Sequence, residues 1–135
     1  MSNHLHIGED FDSKAYLKVL ISVAMADGEI QPSELQFIEL QARLLSLDFN
    51  LLIKEPSLDL ESYAHKLSSK TKRVILRDCI CMGYVDDHYS QDERQKIKSI
   101  ASQLGLSSKD AVEMENWLKD YWKHLKEGER LLEKT

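Results

Sequence analysis

The sequence predicts an all-α domain, a compact bundle of about seven helices, and three observations carry that prediction. Apolar residues recur at helical spacing in one segment after another, and no segment sustains the period-two alternation of a half-buried strand. The chain of 135 residues holds five glycines and two prolines, little material for a turn-rich β fold. A self-similarity at a shift of 59 residues aligns 15–48 with 74–107 without a gap, with nine of 34 positions identical. It pairs Leu17 with Leu76, Ile21 with Ile80, Ile38 with Ile97, Ala42 with Ala101, Leu45 with Leu104 and Leu47 with Leu106. Apolar positions therefore match apolar positions, as two pseudo-symmetric helical hairpins require.

Residues 1–11 read as a flexible lead, and 12–135 as a single domain. Asp12 or Ser13 caps a first helix to about Ala26, whose near-unbroken apolar run from Val19 predicts a central place in the core. Pro32 suits the first position of a second helix, because that position needs no amide donor. This helix should pack Leu35, Ile38, Ala42 and Leu45, flanked by Phe37, Leu40 and Leu44. Asp48 or Asn50 caps a short turn that Pro56 stops, and Asp59 caps another reaching Leu67. Ser69 starts a fifth helix to Val85, apolar nearly all round from Val74. The sixth opens at Ser90 and ends at Gly105, which suits a left-handed C′ position. Ser107 and Asp110 form a capping arrangement for a seventh helix to about Glu127, with Gly128 expected to interrupt it before a last turn.

The bulk charge narrows the function. A net charge of −5 argues against nucleic-acid binding, which needs a basic surface. The run Leu17–Ala26 is too short to span a bilayer, so no membrane insertion is expected. The first residues lack the basic and apolar regions of a secretory signal, and a cytoplasmic protein follows as the expectation. Cys79 and Cys81 lie two apart on a helix, pointing about 200° away from each other, which predicts reduced thiols behaving as small hydrophobes. No nucleophile elbow, phosphate-cradling glycine loop or HExxH motif is present, and the histidines show no useful spacing. The chain reads as a non-enzyme.

Two patterns could carry function. The first is an acidic corner used twice, at Asp27-Gly28-Glu29-Ile30-Gln31-Pro32-Ser33-Glu34 and at Asp86-Asp87-His88-Tyr89-Ser90-Gln91-Asp92-Glu93. If Asp27, Glu34, Asp86 and Glu93 converge, their oxygens suit a hard divalent cation, Ca²⁺, Mg²⁺ or Mn²⁺, with Glu29, Asp87 and His88 as further candidates. The competing reading is architectural. Glu34 and Glu93 stand where the third residue of a helix folds back onto its own first amides, and Asp27 and Asp86 can hold turns. The seven-residue Asp-to-Glu spacing excludes an EF-hand loop. The second pattern is Trp117, Tyr121 and Leu125 at four-residue steps with Trp122 alongside, either core packing across both hairpins or a face for a protein partner. The partner's identity and the oligomeric state are open.

At the doubled corner the chain resembles the TerB-like family, named for a bacterial tellurite-resistance protein. The resemblance rests on Val23-Ala24-Met25-Ala26-Asp27-Gly28-Glu29-Ile30-Gln31-Pro32-Ser33-Glu34 and on the end of the second copy, Ile97 to Ser107. It covers roughly residues 12–127. It implies a seven-helix all-α fold, an acidic metal site, stress responses to metal oxyanions such as tellurite, and use as a module beside co-chaperones. Asp87 replaces the motif's glycine in the second copy.

Overall fold

The computed structural model describes residues 11–26, 28–85 and 91–134. Seven α-helices follow one another among them: α1 (Ser13–Ala24), α2 (Pro32–Leu44), α3 (Phe49–Leu52), α4 (Leu60–Tyr63), α5 (Ser69–Gly83), α6 (Gln91–Gln103) and α7 (Ser108–Glu133), with a 3₁₀ turn at Ala64–Lys66 after α4. The described residues contain no strand. None of their helices is long and apolar enough to cross a membrane.

Helix starts follow the chemistry of the side chains that precede them. The Asp12 carboxylate accepts from the Ala15 amide at 3.0 Å, and its second oxygen accepts from the Tyr63 hydroxyl at 2.6 Å. One residue thus caps α1 and ties α4 to it. Asp48 caps α3, Asp59 caps α4 and Ser68 caps α5, each accepting from an amide in the following turn. Ser107 and Asp110 exchange reciprocal bonds of 3.0 Å at the start of α7. These bonds, from the Ser107 amide first, hold the Asp110 carboxyl below its ordinary value.

The repeat is visible in backbone detail. At the end of α2, Ser46 takes a φ of +59°, and 59 residues on Gly105 takes +80° at the end of α6. The Leu47 amide donates to the Ala42 carbonyl at 2.8 Å, as Leu106 does to Ala101 at 2.9 Å. These are matched six-to-one closures of a left-handed helix end. Serine accepts that conformation at some steric cost, whereas Gly105 does so without one. Asp48 and Ser107 then cap α3 and α7 at equivalent places.

The core lies where α1 and α5 pack together, with α2, α6 and the first half of α7 around them. Tyr16, Leu17, Leu20 and Val23 of α1 meet Ile75, Leu76, Ile80 and Met82 of α5 in one buried cluster with Ile38, Ile97 and Leu104. Two expectations about faces need correction. Leu40 and Leu44 of α2 are exposed, and the inward positions are Glu34, Ile38, Gln41 and Ala42. The helical period is the expected one, but polar residues occupy part of the inner face.

Asp78 is buried within the apolar stretch of α5 and is held by neighbours. The Tyr16 hydroxyl donates to its Oδ2 at 2.6 Å, and Arg77 Nε donates to Oδ1 at 2.8 Å. Burial and the adjacent carboxylate push the Tyr16 phenol far above its ordinary pKa, so it stays a donor. Burial works against the Arg77 charge, but Asp78 more than offsets it and the guanidinium sits above its usual value. Both thiols are free, as expected: Cys79 is buried and Cys81 half-buried. Burial first, then Asp78, pushes the Cys81 thiol up to about 12.

Candidate functional site

The acidic corners resolve in part. Asp27, Asp86, Asp87 and His88 lie outside the described residues. Glu29 is exposed. Glu34 and Glu93, in the first turns of α2 and α6, have relative exposures of 0% and 1%. Glutamate is among the residues least often fully buried, so the same exception at both equivalent positions is a property of the repeat.

Glu34 folds back onto its own helix start: its Oε1 accepts from the Gln31 amide at 3.4 Å, a long bond, with Pro32 at the first helical position. That is the capping geometry the spacing predicts. The positive end of each helix also favours a carboxylate in its first turn. Capping uses one oxygen and works equally well at the surface, so it accounts for the position of Glu34 but not for its complete burial. Among the described residues no three His, Cys, Asp or Glu side chains gather closely enough to hold a metal ion. A cation at the corners would therefore need Asp27, Asp86, Asp87 or His88 as well.

The second candidate is α7, whose aromatic residues divide: Trp122 packs against the bundle, while Trp117 and Tyr121 face outward. Leu118 alone on this helix is fully buried, with Ala111, Met114 and Trp122 partly so. Trp117 is 57% exposed and Tyr121 47%. Their rings lie 5.5 Å apart and 8° from parallel, a stacked pair four residues apart on the outer side of the helix. Gly128 does not interrupt α7, which runs unbroken for 26 residues. Strong helix formers surround that glycine, so its cost of about 1 kcal/mol is absorbed.

The first half of α7 is anchored by Tyr84 at the end of α5. Its hydroxyl donates to Glu115 Oε2 at 2.5 Å, and its ring meets Trp122 at 5.3 Å between centroids. Burial first, then Glu115, raises the Tyr84 pKa. Lys119 pairs with the same carboxylate at 3.4 Å. A groove of about 780 Å³ runs between α5 and α7, lined by Arg73, Arg77, Met114, Trp117, Asp120 and their neighbours. Beyond Trp122 no described residue of α7 is buried, and Leu125, Leu131 and Leu132 are exposed. The outward turn of Trp117 was hidden in the sequence because Trp117 and Leu118 share one apolar stripe, and only the packing partners select which of them turns inward.

Compared with protein-family models, curated proteins and solved structures, the chain matches none.

Proposed function

We propose that this chain is a non-enzymatic helical interaction module, TerB-like in plan, that works by docking through the outer face of α7. The observation that carries the reading is the exposed, stacked Trp117–Tyr121 pair. Trp and Tyr are the side chains that most often dominate binding energy at interfaces. They stand beside a groove with charged walls and continue into exposed leucines along the same helix. Two hairpins with matched helix ends and acidic starts support the TerB-like plan, and the free thiols accord with a reducing, cytoplasmic setting.

A photo-crosslinking residue at position 121 tests the docking face in the producing cell. Defined protein adducts are expected from position 121 and not from Leu44, a still more exposed residue on α2. Equal labelling from both positions would remove the basis for the reading.

A second reading is supported by the burial of Glu34 and Glu93: the doubled corner takes a divalent cation, with Asp27 and Asp86 completing the oxygen set. A ligand of the folded state raises stability by mass action, about 2.7 kcal/mol at a hundredfold excess over Kd. Millimolar Ca²⁺, Mg²⁺ or Mn²⁺ should then raise the melting temperature, and Asp27→Asn or Asp86→Asn should abolish the rise. An unchanged melting temperature with all three cations leaves the glutamates as caps. The link to metal-oxyanion stress rests on the resemblance alone.

A further inference from the structure

We infer that the occupant of the α7 face is a second copy of this chain, with the two α7 helices packed antiparallel. The inference rests on the reading of α7 as a docking face and specifies what covers it.

Three features point to self-pairing. The first is the unsupported end of α7. Residues 123–133 extend roughly 16 Å past the last packed side chain, Trp122. α7 is nucleated on the bundle, but beyond Trp122 it lacks the packed face that supplies most helical stability in proteins. The second is register. Tyr121, Leu125, Gly128 and Leu132 succeed one another at steps of four, three and four, the period of a seam between paired helices, with Trp117 and Leu131 widening its outer side.

The third is Gly128. Its φ is not in the left-handed region, and a Cβ added there would meet nothing within 4 Å. Neither backbone conformation nor space within the chain calls for glycine, which is a poor helix former. A notch in an apolar stripe has a use when another side chain fills it. Antiparallel pairing about a two-fold axis near residues 122–125 sets the Trp117–Tyr121 pair of each copy against Gly128 of the other. The surface is then self-complementary, as a two-fold interface must be. Parallel pairing would place glycine against glycine and leave both notches empty.

Area decides whether such a pair can hold. The exposed parts of Trp117, Tyr121, Leu125, Leu131 and Leu132 amount to roughly 500 Å² per copy, or about 1,000 Å² for the pair. That reaches the lower bound for a specific interface and corresponds to a reversible dimer.

The test is sedimentation equilibrium of the full chain, whose monomer is 15.6 kDa, beside Gly128→Leu and Tyr121→Ala. The wild type should approach twice the monomer mass as concentration rises. Gly128→Leu should keep or increase its helical circular dichroism while associating at least about tenfold more weakly. Tyr121→Ala should weaken association to a similar degree. Self-association that is equal or tighter in Gly128→Leu overturns the antiparallel notch, since added apolar surface alone would favour pairing. A wild type that stays monomeric at all concentrations overturns self-pairing. If position 121 still cross-links to a different protein, the docking face stands with another occupant. If the monomer instead co-sediments with anionic vesicles, the face binds lipid and both protein readings fall.

Discussion

Replacing Asp78 by alanine is expected to destabilise the fold by about 3–5 kcal/mol, the cost of leaving buried polar partners without their acceptor. For a chain of this length the melting temperature should drop by on the order of 10–15 °C. The carboxylate accepts from the Tyr16 hydroxyl across the α1–α5 contact and from Arg77 on its own helix. Its loss strands a buried phenol in the core and a partly buried guanidinium at the edge of the α5–α7 groove. Tyr16→Phe removes one donor and leaves Asp78 its arginine, so its cost should be smaller, about 1–3 kcal/mol. The two changes together should cost less than their sum, because they share one interaction. Urea unfolding of the four proteins measures this directly. A loss below about 1 kcal/mol for Asp78→Ala would mean that the network contributes little.

The second large effect tests the duplicated core. Ile38 of α2 and Ile97 of α6 are aligned by the repeat and both are buried. Each truncation to alanine should cost about 2–5 kcal/mol, with similar values for the pair. Leu44→Ala, at a residue 59% exposed, should stay within about 0.5 kcal/mol of the parent. Equal sensitivity at Ile38 and Leu44 would contradict the placement of α2 against the bundle.

These contrasts show what was legible in the sequence. Helix identity and most helix ends were, because they depend on local chemistry: Asp12, Asp48, Asp59, Pro32, Gly105 and the Ser107–Asp110 pair act within a few residues of themselves. The repeat was legible too, and so was Gly105 as the end of α6, whereas the matching left-handed end at Ser46 emerges only in the structure. Hydrophobicity misread α2, where Glu34 and Gln41 turn inward and Leu40 and Leu44 outward. Asp78 was missed, although a carboxylate within a nearly continuous apolar helix signals a buried partner. Only the three-dimensional packing supplies Tyr16, 62 residues away.

On α7 the failure has a different cause. Gly128 carries a penalty as a helix residue, which suggested a break, yet neighbouring Glu127, Glu129, Arg130 and Leu131 are good helix formers and the helix passes through. The apolar stripe was read correctly as a stripe. How far the bundle extends beneath it is a global property. It ends at Trp122, so the same stripe is core at Leu118 and surface at Leu125. At the acidic corners, the local chemistry of Glu34 was legible as a cap, while the complete burial it shares with Glu93 was not.

Amide hydrogen exchange along α7 tests most directly whether a second copy covers that surface. In the purified chain at about 1 µM, amides 123–133 should exchange quickly, and at about 200 µM they should gain protection of at least tenfold as pairing supplies the missing packed face. Amides 108–122, already anchored to the bundle through Leu118 and Trp122, should change far less. Protection of 123–133 that does not vary with concentration would contradict the account.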